Sequence, residues 1–121
     1  MSIQSDPFPL DASNVAHVPP ASGVYELIRL PCDEETPSTV FVGSAGWNLR
    51  DWLSRHLGSM PGEDPVHGGA GATHFRYECV DTPAAAPLRQ LELLIGYQAA
   101  HGGELPVGNV ALSRRLASPV A

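Results

Sequence analysis

The sequence predicts a small α/β (α+β) domain in which a three-stranded, mainly antiparallel sheet is flanked by helices. Short runs of β-branched and aromatic residues are separated by turn signals, and two amphipathic segments have helical spacing. The elements follow one another in the order β-β-α-β-α, which suits helices packed on a sheet. With 121 residues, the chain has the length of one domain.

The first two strands are predicted to form a hairpin. The segment GVYELIRL places Val24 and Glu26 on one side of a strand and Tyr25 and Leu27 on the other. The acidic turn PCDEETPS follows and leads into the β-prone run TVFVG. Because the connection is short, we expect these strands to pair antiparallel.

Two helices and a third strand complete the predicted domain. Asn48 is a good N-cap for a helix over 48–57, and THFRYECV then alternates with the period of a half-buried strand. A second helix follows within DTPAAAPLRQLELLIGYQAAHGG, where Gly102 and Gly103 end it. The face expected to cover the sheet consists of Leu88, Leu91, Ile95 and Gln98, with Leu94 beside them.

The remaining segments are expected to be peripheral to a single domain over 21–112. Residues 1–20 are rich in proline and predict a loosely tethered lead-in with at most one helical turn, at 14–17. Residues 113–121 form a C-terminal tail. The glycine- and proline-rich stretch 58–72 predicts a loop, and a loop of this length in a small domain is more often functional than inert.

Charge and composition restrict the classes of partner. The net charge of −6 and the absence of lysine argue against tight, nonspecific binding to a polyanion. Any phosphate contact must come from a guanidinium, a backbone N–H or a metal. No apolar run is long enough to span a bilayer and no leader is evident, so we expect a cytoplasmic protein with no membrane contact, in which Cys32 and Cys79 are free thiols.

Several short motifs occur in a fixed order on these predicted elements. Gly23-Val24-Tyr25 opens the first strand, and Phe41-Val42-Gly43 ends the second. The helix NLRDWLSRH, Glu92 on the later helix and Asn109 in LPVGN follow. This ordered set resembles the GIY-YIG nuclease superfamily over roughly residues 23–109, and the order is stronger evidence than any one tripeptide.

The resemblance implies Mg²⁺-dependent hydrolysis of a phosphodiester, with nucleic acid as the partner. Tyr25 would act on the attacking side, an arginine would neutralise the phosphoryl oxygens, and Glu92 would hold the metal. A hard cation such as Mg²⁺ requires a carboxylate ligand. The negative charge that develops on the phosphoryl oxygens requires a guanidinium, which can donate two parallel hydrogen bonds. The positions implied to bind substrate are Gly43, Asn48 and Asn109.

Two residues that the resemblance makes essential are replaced. Phe41 stands where a tyrosine is expected, and Trp52 stands where the helix should carry its arginine, whereas His56 fits the pattern. At about 100° per residue, Arg55 lies roughly 60° from Trp52 and is the better substitute, while Arg50 lies nearly opposite. The candidate catalytic residues are therefore Tyr25, Arg55, His56 and Glu92, with Arg50 as a weaker candidate.

Each retained residue also has a purely structural interpretation. Tyr25 can pack on a strand and hydrogen-bond at its tip, and Glu92 can be a solvated carboxylate beside an apolar stripe. Asn109 can be a turn residue, and His56 can complement a helix dipole.

Three functions remain open from the sequence. The first is a diverged domain with weak or lost cleavage that binds nucleic acid. The second is an active Mg²⁺-dependent endonuclease using Tyr25, Arg55, His56 and Glu92. The third is a non-catalytic protein-interaction module that uses the loop over 58–72 or the lead-in. A DNA-cutting protein of this size would take its targeting from nucleic-acid shape or from a protein partner.

Overall fold

The structure, a computed structural model, describes residues 3, 6–29, 38–58 and 72–110. Its elements, in chain order, are β1 (Phe8–Pro9), α1 (Ala12–Ala16), β2 (Gly23–Arg29), β3 (Ser38–Ala45), α2 (Leu49–Gly58), β4 (His74–Cys79) and α3 (Ala85–Ala100). The predicted order β-β-α-β-α is confirmed from β2 onward. Residues 59–71, most of the predicted loop, lie outside the described residues.

Within the described residues, the sheet has four antiparallel strands in the order β1-β4-β2-β3, so the prediction of three strands missed one. The additional strand pairs Phe8 with Phe75 and Pro9 with His74. Pro9 is tolerated in it because β1 lies at the edge of the sheet. A strand of only two residues is too short to show the alternation of apolar and polar residues. Its sequence signal was therefore absent.

Both faces of the sheet are covered. Tyr25 and Leu27 belong to one cluster with Leu49 and Leu53 of α2, whereas Val24 packs with Val42 and Leu93 on the α3 face. The hydrophobic cluster on the α2 face is made of Val15, Val18, Tyr25, Leu27, Val40, Phe41, Ala45, Leu49, Leu53, Ala72 and Phe75. Neighbouring residues of β2 thus face different helices, as the alternation of a strand requires.

The segment expected to be a loosely tethered lead-in contributes to this core. Val15 of α1 is 2% exposed and Val18 is 1% exposed, and both pack on the α2 face. The side chain of Asp11 caps α1 by accepting from the backbone N–H of Asn14 at 2.8 Å. The described part of the lead-in is thus packed against the sheet, while the domain limits at 21 and 112 remain predictions.

Helix α3 is rotated relative to the prediction. Leu88, Leu91 and Ile95 are 65%, 54% and 56% exposed, so the apolar face expected to cover the sheet points to solvent. The sheet instead receives Leu93, together with polar Arg89 and Gln90, because β4 and the edge of β3 present polar groups that need hydrogen-bond partners. Helical periodicity located α3 correctly but could not show that its inner face is mixed.

A β-bulge in β3 changes which face one polar side chain occupies. Leu27 pairs with Phe41, but Ile28 pairs with Thr39, so Val40 is the extra residue. Thr39 is thereby placed on the α3 face, where its hydroxyl donates to Glu26 Oε2 at 2.9 Å.

Candidate active site

Tyr25, Phe41 and His56 meet between β2, β3 and the last turn of α2. The Tyr25 hydroxyl lies 2.9 Å from His56 Nε2, and the two rings meet edge to face with centroids 5.6 Å apart. Phe41 packs against both rings, at 6.0 and 5.8 Å. The structure thus brings together the predicted tyrosine and histidine, and the position that lacks a hydroxyl lies beside them.

Gly43 leaves the space that the tyrosine ring occupies. Tyr25 and Gly43 are direct partners in the β2–β3 pairing. A Cβ at residue 43 would overlap the end of the Tyr25 ring and its hydroxyl, and would also come within 2.8 Å of Phe41. The missing side chain at Gly43, in the second motif, therefore makes room for the Tyr25 ring of the first motif. This gives a physical reason why the two motifs occur together. The predicted contact of Gly43 with substrate stays a prediction.

Removing the Tyr25 hydroxyl should destabilise the fold measurably. Tyr25→Phe leaves the half-buried His56 ring without its 2.9 Å partner, so we expect unfolding free energy to fall by about 0.5–1.5 kcal/mol. Urea denaturation measures the change. Tyr97→Phe is the matched control, because within the described residues the Tyr97 hydroxyl makes no hydrogen bond. Equal losses in both variants would contradict a stabilising Tyr25–His56 hydrogen bond.

The two candidate arginines have other partners. Arg55 pairs with Asp51 at 3.0 Å, its side chain is 63% exposed, and its guanidinium carbon lies 4.8 Å from the centre of the Trp52 ring. Arg50 Nε donates to the backbone oxygen of Val18 at 2.8 Å, which directs it toward the lead-in. None of these contacts directs an arginine toward the Tyr25–His56 pair, as neutralising a phosphate there would require.

Two exposed tryptophans lie on α2 or just before it. Trp52 is 41% exposed and therefore is not a core residue, and it lies one helical turn before His56 on the same side of α2. Trp47, in the turn between β3 and α2, is 80% exposed. Sequence reasoning did not single out Trp47, and its position next to the N-cap Asn48 was the available signal.

Glu92 lies on the other face of the sheet. It lines a cavity with Glu26, and Glu26 points away from its neighbour Tyr25 on β2. Arg89 holds it through an Nη1–Oε2 contact of 3.3 Å while also binding Glu78 in a two-pronged ion pair of 2.6 and 3.2 Å. The hydrogen bond that Arg89 donates to the Glu78 carboxylate is the main cause that raises the pKa of Arg89. The predicted metal ligand is thus tied into an ion-pair network with β4.

The fit to a magnesium ion rests on one carboxylate. In the part of the chain that the structure describes, no group of three or more His, Cys, Asp or Glu side chains could hold a metal. Mg²⁺ commonly binds through one or two carboxylates and keeps several waters. The Glu92 side chain is 66% exposed, and its Oε1 is the oxygen that Arg89 does not contact, so this residue fits the ion in donor type and access.

Asn109 and Asn48 occupy structural positions. The Asn109 side chain accepts from Val42 N–H at 2.8 Å and donates to Val42 C=O at 2.9 Å, which satisfies the outer edge of β3. Gln90 donates to the same carbonyl at 3.0 Å. Asn48 Oδ1 accepts from Asp51 N–H at 3.1 Å, which confirms the predicted N-cap. Substrate contacts from Asn48 and Asn109 stay predictions.

Loss of the Asn109 amide should weaken the edge of β3. Asn109→Ala removes both bonds to Val42, so we expect a loss of about 1–3 kcal/mol in unfolding free energy. Urea denaturation and hydrogen exchange at Val42 measure the effect. Gln98→Ala, which removes one exposed amide bond to Gly103, should cost less. Unchanged exchange at Val42 in Asn109→Ala would refute this role.

Solved structures of the UvrC endonuclease domain share this fold. The N-terminal GIY-YIG endonuclease domain of UvrC from Thermotoga maritima, bound to magnesium as its catalytic divalent cation, is 20% identical, with a TM-score of 0.54, over 71% of this chain and 88% of that one. Two point mutants of that domain, each bound to its catalytic divalent cation, are 17% and 19% identical, with TM-scores of 0.55, over 71% of this chain and 87% of theirs.

These comparisons confirm the predicted GIY-YIG fold. No family model matches the sequence. No curated protein matches it either. Within the described residues, no helix combines the length and apolar character needed to cross a membrane.

Proposed function

We propose that this chain is a diverged GIY-YIG nuclease-like domain that binds nucleic acid and in which phosphodiester cleavage is weak or lost. The observation that carries the proposal is the tyrosine–histidine pair, which persists while the two positions next to it are Phe41 and Trp52. The resemblance assigns a hydroxyl and a guanidinium to those two positions. The fold shared with the UvrC domain supports the nuclease-like part of the proposal.

The retained pair can move a proton. When Nε2 of His56 is unprotonated, it accepts the hydrogen of the Tyr25 hydroxyl and increases the basicity of that oxygen toward a water molecule. A magnesium ion held by Glu92 would lie across the sheet from this pair and could not stabilise the leaving oxygen of a phosphate bound beside it, which is a further reason to expect weak cleavage. Phe41 cannot position or deprotonate water, and Trp52 cannot neutralise a phosphoryl oxygen. Loss of one preorganised charge donor costs about 10²–10³ in rate, so efficient cleavage is not expected.

The surface around α2 supports nucleic-acid binding of modest strength. Trp47 and Trp52 expose aromatic surface on which unpaired bases can stack, and Arg55 lies over the Trp52 ring. The net charge of −6 opposes tight binding to duplex DNA. We therefore expect a preference for single-stranded or branched DNA, weakened by salt, with targeting supplied by shape or by a protein partner.

One experiment separates the three functions. The purified chain is incubated with single-stranded, duplex and branched DNA, with and without Mg²⁺, beside a Glu92→Ala variant. We expect salt-sensitive binding and little or no cleavage. Mg²⁺-dependent cleavage that disappears in Glu92→Ala would contradict the loss of activity and favour the active endonuclease. A folded chain that neither binds nor cleaves would favour the non-catalytic interaction module.

A further inference from the structure

A cavity of about 360 Å³ lies between the sheet and α3, on the face opposite to the Tyr25–His56 pair. Its volume is in the range of small-molecule sites, roughly 300–1,000 Å³. The inner wall comprises Glu26, Thr39, Val42, Arg76, Leu93 and Tyr97, and the exposed residues Glu92, Gly96 and Ala100 border its mouth.

Two charged side chains in this cavity lack hydrogen-bond partners on buried atoms. Glu26 is 6% exposed, and its Oε1, like Nε of Arg76, is fully buried and makes no hydrogen bond within the described residues. The two residues are direct partners in the β2–β4 pairing, yet no ion pair joins them in that part of the chain. Burying such groups without partners is costly, so a ligand that hydrogen-bonds to both side chains, once a small side-chain rotation turns these atoms toward the cavity, would remove that cost.

The backbone around the cavity is adjusted to hold Glu26. The β-bulge at Val40 turns Thr39 onto this face, and its hydroxyl donates to Oε2 of Glu26 at 2.9 Å. This hydrogen bond orients the carboxylate through Oε2, while Oε1 has no hydrogen-bond partner within the described residues. Bulges of this kind commonly redirect a side chain next to a functional site. Tyr97 is held as a fixed wall, because its ring stacks on His101 with centroids 3.8 Å apart.

The chemistry of the lining selects the ligand. Oε1 of Glu26 is an acceptor and Nε of Arg76 is a donor, so the complement is a group that presents a donor beside an acceptor. Val42 and Leu93 supply apolar walls. Two carboxylates, of Glu26 and Glu92, face a single guanidinium in the lining, which disfavours a phosphate. The hydrogen-bonding edge of a nucleobase meets all three conditions.

We propose that this cavity binds an unphosphorylated nucleobase or nucleoside, with its base edge donating to Glu26 and accepting from Arg76. The inference does not rest on the proposed function. Nucleoside binding without DNA binding would support it and contradict the nuclease-like function, and DNA binding without nucleoside binding would do the reverse.

The probes are adenosine, guanosine, cytidine and uridine, titrated separately into ¹⁵N-labelled protein and followed in ¹H–¹⁵N correlation spectra. At least one should shift the amide signals of Val42 and Gly96, with a dissociation constant of about 1 mM or tighter. Its 5′-monophosphate should bind more weakly. Saturation by none of the four, or tighter binding of the monophosphate, would overturn the proposal.

Two variants test the site by different means. Glu26→Gln should weaken binding by about tenfold or more, because a charged acceptor is replaced. Gly96→Leu should block the mouth while preserving the fold, since a Cβ at Gly96 meets no other atom within 4 Å in the described structure and leucine favours a helix. Glu104→Gln, an exposed change outside the lining, should bind like the unchanged chain. Unaltered affinity in a folded Gly96→Leu variant would place the ligand elsewhere.

Discussion

Replacing Trp52 with arginine should raise DNA cleavage by about 10²-fold or more above the unchanged chain. Trp52 and His56 are one turn apart on α2, so a guanidinium at residue 52 would stand beside the Tyr25–His56 pair. The substitution is tolerable because Trp52 is already 41% exposed and does not belong to either buried hydrophobic cluster of the described residues. Adding Phe41→Tyr should increase the rate further, because it returns a hydroxyl to the cluster that Tyr25 and His56 form.

Trp47→Arg is the matched control for this gain. It adds the same charge at a tryptophan that is 80% exposed and lies outside α2, so it reports the general benefit of a positive charge for DNA binding. Cleavage of branched DNA with Mg²⁺ is compared at equal substrate occupancy, and thermal denaturation verifies folding. An equal rise in both variants, or no rise in a folded Trp52→Arg variant, would contradict the assignment of residue 52 as the lost arginine position.

The sequence predicted the parts of the fold that depend on local periodicity. The hairpin strands, α2 and β4 appear where alternation and capping indicated, because each signal lies within a few neighbouring residues. Strand β1 could not be predicted, since Phe8–Pro9 is ordered by pairing with a strand more than sixty residues later. The inward face of α3 was also missed, because it depends on polar groups of β3 and β4 that only the tertiary structure brings near.

The candidate site was predictable in part for the same reason. Tyr25 and His56, two of the candidate catalytic residues, meet because both lie on regular elements with fixed faces, while their catalytic roles stay predictions. The partners of Arg55 and Arg50 depend on side-chain direction, which spacing on a helix does not determine. The bulge at Val40 has no sequence signal of its own, yet it decides that Thr39 rather than Val40 reaches Glu26.

Gly23→Ala should be the most damaging single-methyl change in the sheet. A Cβ at Gly23 would overlap the backbone oxygen of Glu78 and the side chain of Leu49, which is fully buried. The oxygen belongs to β4 next to the paired residue Cys79 and cannot move without disturbing the β2–β4 ladder. Overpacking of this kind costs about 1–3 kcal/mol or more, a large share of a total stability of about 5–15 kcal/mol.

Gly96→Ala adds the same methyl group, but we expect it to raise the free energy of unfolding rather than lower it. Gly96 lies inside α3, and a Cβ there meets no atom of the described structure within 4 Å. The substitution should stabilise the chain by about 0.5–1 kcal/mol, because glycine costs that much more than alanine inside a helix. Urea denaturation of the two variants should therefore move the midpoint in opposite directions. If both midpoints moved in the same direction, the close approach of β2 to β4 and α2 would not be the reason why residue 23 must be glycine.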